Sequence, residues 1–178
     1  MKSLNTIQLH PNRPPYKLTK NQNELITRAQ TIISSGGEKL DLSGTAVWES
    51  RALKAILTLL NDNPGMTTLK LASCSLGIEA IQILSTFLES NTTLRSIELH
   101  DNPIFNEGAN HLDRMLEKNT TLKKLKLFNT GIDRIGADLI ISASKENTSL
   151  THIDLNDHPF FSEQHAQERI DGYLELIE

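Results

Sequence analysis

The sequence predicts an α/β solenoid with a parallel sheet on the concave side of a curved stack and helices on the convex side. Three observations predict it. The pattern apolar-x-Leu recurs as Leu40-Asp41-Leu42, Leu69-Lys70-Leu71, Ile97-Glu98-Leu99, Leu125-Lys126-Leu127 and Ile153-Asp154-Leu155, at offsets of 29, 28, 28 and 28 residues. A period of this length holds one short strand, a loop, a helix of roughly three turns and a return loop. The stretches between the motifs repeat in register too, with Leu84 and Leu88 matching Leu112 and Leu116. No single copy can bury its own leucines, so the copies must stack.

The elements follow in order. A divergent copy opens the chain as Leu4, Ile7 and Leu9, 33 residues ahead of the next. It predicts a sixth strand. Pro11, Pro14 and Pro15 then place a rigid loop. Leu25, Ile26, Ala29, Ile32 and Ile33 form a helical apolar face that Gly36-Gly37 ends. Further helices are predicted over Trp48–Leu60, Ile78–Glu89, Glu107–Lys118 and Arg134–Lys145. Helices are wider than strands (~10 Å against ~4.8 Å), so the stack curves with the sheet inside. After the last repeat, Phe161–Ile177 reads as an amphipathic helix with Ile170, Tyr173, Leu174 and Ile177 on one face. The prediction is one domain over residues 1–178. A divergent repeat and cap fill 1–38, the repeats 39–158, and a cap helix 159–178.

Composition bounds the function. With 38% hydrophobic and 22% charged residues, the 178-residue chain is a soluble globular one, neither a disordered tail nor a membrane protein. Aromatics at 4% require an aliphatic core. The net charge of −4 argues against a broad nucleic-acid surface, and the small basic group Lys123, Lys124 and Lys126 does not reverse that. A single cysteine, Cys74, excludes a disulfide framework and a multi-Cys zinc site. The N-terminus lacks the apolar run of a signal peptide, and no run approaches transmembrane length. The expected setting is therefore cytoplasmic, or a host cell reached without an N-terminal signal.

Three residues after each motif stand Asn12, Thr45, Cys74, Asn102, Thr130 and His158. A polar atom in every copy is what a ladder satisfying buried loop amides requires. Cys74 belongs to that ladder and is expected to be inert rather than nucleophilic. Asn91-Thr92-Thr93, Asn119-Thr120-Thr121 and Asn147-Thr148-Ser149 match the glycosylation pattern but recur at the helix-to-strand return. The repeat explains them, since Asn ends helices well and tolerates left-handed backbone.

These residues, at this spacing, resemble the leucine-rich repeat family, in its 28-residue, ribonuclease-inhibitor-like subtype. The match is strong over 37–158 and weak over 1–36. Cys74 and Asn102 fall where that subtype places its Asn/Cys. The resemblance implies a protein-binding module that is not an enzyme and needs no cofactor. An alternative is an activating-protein-like regulator of a small GTPase, since one group of such proteins is built from this subtype. Those proteins are larger, and no equivalent catalytic residue can be placed here. A small stand-alone copy is also similar to effectors that intracellular bacteria inject into host cells. Glu163, Glu168, Glu175 and Glu178 among hydrophobics resemble a type IV secretion signal, or form an ordinary solvated helix face.

The outward strand positions carry the candidate site. The central column reads Gln8, Asp41, Lys70, Glu98, Lys126 and Asp154, alternating in sign from Asp41 onward. Opposite charges on neighbouring strands neutralise one another or present a code to a partner. The next column holds His10, Ser43, Ala72, His100, Phe128 and Asn156; the preceding one holds Lys39, Thr68, Ser96, Lys124 and His152. Phe128 flanks inward-facing Leu127, so it faces out. It is the expected anchor for a protein partner, with Lys126, His100 and Asn156 around it and Glu98, Lys124, His152 and Asp154 completing the face. Its alternative is local packing against Phe105 or His100. Trp48, Phe105 and Phe161 either lid the core or form an aromatic rim. His100, His152, Asp154, Asp157 and His158 do not converge well enough for a metal.

Overall fold

Residues 6–7, 16–45 and 50–155 are described in the structure, a computed structural model. In chain order the elements are β1 (Thr6–Ile7), β2 (Tyr16–Lys17), α1 (Lys20–Ser34), β3 (Lys39–Asp41), α2 (Ser50–Asn61), β4 (Thr68–Lys70), α3 (Ile78–Ser90), β5 (Ser96–Glu98), α4 (Phe105–Lys118), β6 (Lys124–Lys126), α5 (Arg134–Glu146) and β7 (His152–Asp154).

Alternation within each strand sets the layers. The middle residues Leu40, Leu69, Ile97, Leu125 and Ile153 are buried, as are Leu42, Leu71, Leu99, Leu127 and Leu155 just beyond the strands. The residues between them stay exposed or half-buried. Strands β3 to β7 form one parallel sheet in sequential order. The helices pack side by side on its apolar face, each on the next.

The expected sixth parallel strand is corrected. β1 pairs antiparallel with β2 in a separate two-stranded sheet, Thr6 opposite Lys17 and Ile7 opposite Tyr16. Eight residues separate the two strands. A connection of that length can return a chain antiparallel, whereas a parallel neighbour needs a crossover of about a dozen residues or more. The first copy therefore closes on itself, and α1 and β3 begin the solenoid.

Local chemistry explains the helix limits. α1 starts with a capping box: the Gln22 amide donates to Thr19 Oγ1 at 3.3 Å, and the Thr19 amide to Gln22 Oε1 at 2.8 Å. It ends where Gly36, at φ +78°, donates its amide to the Ile33 carbonyl. α5 starts on Asp133, whose Oδ1 accepts from the Ile135 amide at 2.7 Å and the Gly136 amide at 3.3 Å. α4 begins two residues earlier than predicted, at Phe105. The start predicted for α2 at Trp48, the column members Asn12 and His158, and the helix Phe161–Ile177 lie outside the described residues.

A column of small residues sets how closely the helices approach. Ala52, Ala80, Gly108 and Gly136 occupy one repeat position near the helix starts and are all buried. A Cβ on Gly136 would come within 2.8 Å of Ile132 Cγ2 and 3.2 Å of Ala109 Cβ. Packing there leaves no room for a side chain.

Two polar ladders tie the repeats together. In the first, Asn102 Oδ1 accepts from the amides of Cys74 (3.0 Å) and Leu76 (2.9 Å). Its Nδ2 donates to the carbonyls of Leu71 and Leu99, both at 2.8 Å. The Cys74 thiol is fully buried and reaches the Leu42 and Ala72 carbonyls at 3.3 Å. The second ladder is Asn91, Asn119 and Asn147. Asn119 Oδ1 accepts from the Thr121 and Leu122 amides, while its Nδ2 donates to Leu88 O of the previous repeat at 2.6 Å. Asn147 repeats the arrangement onto Leu116 O and Asn119 O. These asparagines do not use left-handed backbone: their φ values are −74°, −74° and −76° with ψ of 122–129°. Their side chains, not their φ freedom, select them. Asn91 and Asn119 are buried and bonded, so the glycosylation pattern is a by-product of the repeat.

Candidate protein-binding face

The strand register places the charged column as the sequence implies. Asp41 lies opposite Lys70, Lys70 opposite Glu98, Glu98 opposite Lys126, and Lys126 opposite Asp154. Glu98 is the hub. Its Oε1 is 2.9 Å from Lys70 Nζ and 3.6 Å from Lys126 Nζ, and its side chain is only 13% exposed. Burial pushes the Glu98 carboxyl up. The hydrogen bond from Lys70 and the charges of Lys126, Lys70 and His100 outweigh that and hold it below the ordinary glutamate value. Asp41 behaves alike: burial raises it, while hydrogen bonds from Ser43 and the charges of Lys70 and Arg28 bring it down. These two carboxylates are therefore ionised and already engaged.

Beside the hub lies an aromatic pair. The rings of His100 and Phe128 stack with centroids 4.1 Å apart and planes inclined by 18°. Both are half-buried. Of the two local partners expected for Phe128, the structure brings up His100. His100 Nε2 is 4.0 Å from Asp101 Oδ2, and its Nδ1 is buried without a hydrogen-bond partner among the described residues. Lys124 and His152 are exposed on adjacent strands, and Asp154 is half-buried at the sheet edge. Asn156 lies outside the described residues.

Sequence reasoning offered an aromatic rim but missed a polar one. Asp101 Oδ1 accepts from Asn129 Nδ2 at 2.7 Å, and Ser73 Oγ donates to Oδ2 at 3.4 Å, so one carboxylate spans three repeats. The signal was available: Ser73, Asp101 and Asn129 share one repeat position, all with positive φ. Phe105 neither lids the core nor touches Phe128 in a ring contact. It is 50% exposed, at φ +55°, and its ring lies where a Cβ on Gly131 would come within 2.8 Å. With Ile135 at 70% it completes the exposed large hydrophobics among the described residues. Trp48 and Phe161 lie outside them. Asp133 is held below its usual range by hydrogen bonding to Asn106, against a small burial effect, and by the Ile135 and Gly136 amides. No group of three metal-ligating side chains occurs among the described residues, and no described helix is long and apolar enough to cross a membrane.

A family model described as "Leucine Rich repeat" matches residues 90–110. Among solved structures, the chain is similar to Leiomodin-1 Actin-Binding Site 2. The TM-score is 0.69 at 18% identity, covering 89% of this chain and 92% of that one. It is also similar to the tropomodulin C-terminal domain of Caenorhabditis elegans, with a TM-score of 0.65 at 16% identity, covering 89% and 93%. At such identities the likeness is one of fold. No curated protein matches the chain in sequence.

Proposed function

Because the chain is a leucine-rich repeat protein, we propose that it is a non-catalytic interaction module whose partner protein docks on the concave face. The observation that supports this most is the His100–Phe128 stack, a half-buried aromatic pair on the sheet face opposite the helices. A partner that covers it removes the remaining apolar surface from water, and such anchors are worth about 2 kcal/mol or more. The charges of Lys70, Glu98 and Lys126 are mutually satisfied. They orient a partner more than they add affinity. Lys124, His152 and Asp154 border the same face and belong to the proposed contact set, with Asn156 as its sequence-based extension. The effector reading concerns where such binding happens, and a translocation assay with and without residues 160–178 decides it.

The test is capture of partners with immobilised wild-type chain and with Phe128→Ala. Loss of the captured proteins with an unchanged melting temperature supports the reading. Equal capture sinks it. Actin is a second, narrower reading, prompted by the likeness in fold to the actin-binding site of Leiomodin-1. Co-sedimentation with filaments and binding to monomers decide it directly. A GTP-hydrolysis assay over a panel of small GTPases addresses the regulator alternative.

A further inference from the structure

We propose that the partner presents an acidic protein segment, docked across β5, β6 and β7 along the side of the concave face where those strands begin. This rests on the concave-face reading and names the chemistry of its partner. The observation is a transverse polarity of the sheet. The first outward positions of these strands are Ser96, Lys124 and His152, held side by side by the register. The residues just before them are Arg95, Lys123 and Thr151, linked by the Lys123 amide to Arg95 O at 2.8 Å and the Thr151 amide to Lys123 O at 3.0 Å. The strip therefore holds three cations, a histidine and two hydroxyls, and no carboxylate.

The central column next to it is neutralised from within, but the strip is not. Among the described residues, no ion pair engages Arg95, Lys123 or Lys124. Arg95, Lys124 and His152 are exposed. The Arg95 guanidinium donates to Thr121 O at 3.1 Å, which fixes its head at the rim. On the opposite side of the face the charged residue, among the described ones, is Asp101, already bonded to Asn129 and Ser73. An anion is thus attracted to one side of the sheet only.

The overall charge does not oppose this. Residues 156–178 hold six of the carboxylates and one arginine, which leaves residues 1–155 close to neutral, with 16 Asp+Glu against 17 Lys+Arg. The dimensions favour a peptide over a nucleic acid. Three strands span only about 10 Å, room for two or three phosphates, which supply little nucleic-acid affinity. One face of the Phe128 ring is taken by His100, which leaves a poor platform for stacking successive bases. Lys124 and Phe128 are four residues apart along β6 and its extension, about 13 Å. A segment that crosses the strip and then turns along β6 brings acidic side chains to the strip and an apolar residue to Phe128.

Peptide display on the immobilised full chain tests this. It is followed by anisotropy with a Glu-rich peptide containing one leucine, its Gln-for-Glu counterpart, and single-stranded oligouridylate. The proposal expects acidic peptides to be enriched and the Glu-rich peptide to bind while the Gln counterpart does not. Lys124→Glu should weaken that binding roughly tenfold, with Lys124→Gln in between, and salt should weaken it in wild type. Enrichment of non-acidic peptides whose binding Phe128→Ala abolishes overturns the acidic partner but leaves the concave-face reading standing. No enrichment at all overturns both. Oligouridylate binding tighter than the Glu-rich peptide overturns the proposal in favour of RNA. Binding of the Glu-rich peptide only when the carboxylates of residues 156–178 are replaced by amides overturns it in favour of the chain's own segment as occupant.

Discussion

Lys70→Glu reverses the side chain that holds two carboxylates on the concave face. Lys70 Nζ lies 2.9 Å from Glu98 Oε1, and Lys70 stands opposite Asp41 on the other neighbouring strand. An opposite-charge pair across strands contributes roughly 0.2–1 kcal/mol, and a like-charge pair costs a similar amount. The Lys70 and Glu98 side chains are 23% and 13% exposed, so this pair is screened less than an open surface one. We assign it ~1 kcal/mol for the lost attraction and ~1 kcal/mol for the new repulsion. Asp41 is exposed and contributes about 0.3 kcal/mol each way. The expected loss is about 2.5 kcal/mol. Lys70→Met, which removes the attraction alone, should cost about half as much. In urea, with a slope of about 2 kcal/mol/M, the charge reversal lowers the midpoint by about 1 M. Repeating the titration in 1 M salt, where the screening length is about 3 Å, should recover much of the difference between the two variants. Equal midpoints for wild type and Lys70→Glu at low salt would refute the register argument. Equal costs for Met and Glu would show that the lysine acts through its alkyl chain.

Other expectations follow from the same geometry. Glu98 titrates below its ordinary value of 4.5, so its stabilisation is present above that pH and is lost as pH falls through the lower folded value. Glu98→Gln should therefore flatten the acid limb of the stability profile below about pH 5; an identical limb counts against the hub. Asn102→Leu strands two amides and two carbonyls in the core and should cost at least about 3 kcal/mol by chemical denaturation; a loss under about 1 kcal/mol removes the ladder from the account. Gly131→Ala places a Cβ against the Phe105 ring on left-handed backbone and should cost roughly 1–2 kcal/mol. A neutral outcome in thermal melts contradicts that contact. Cys74 should react with a thiol reagent only after unfolding, because its sulfur is fully buried. Rapid labelling of native protein overturns its place in the ladder.

The solenoid was legible because burial follows period: Leu69, Ile97, Leu125 and Ile153 recur every 28 residues, and each is inside. The charged column was legible for the same reason, since strand alternation fixes which side Glu98 and Lys126 take. The first strand was not. Leu4, Ile7 and Leu9 fit the apolar pattern, but pattern does not carry partner choice, and the strand pairs with Tyr16–Lys17 instead of with the solenoid sheet. The Asn at each helix end was recognised for position and misread for mechanism. Its value lies in reaching a carbonyl one repeat away, a contact only the stacked structure contains. The stacking of His100 on Phe128 could be foreseen only as one of two options, because ring geometry depends on sheet twist as well as register. Phe105 was foreseen only as either a lid or a rim residue, because the choice rests on the positive φ that turns its ring onto Gly131, and no periodicity announces that.

Oxidative footprinting of the chain, free and bound to its partner, tests the central claim most directly. Phe128 and His100 are half-buried on the sheet face, and Phe87 on α3 is half-buried away from that stack. The account predicts that Phe128 and His100 lose reactivity in the complex while Phe87 keeps its own. Unchanged modification of Phe128 with protection of Phe87 would contradict it and move the binding surface to the helices.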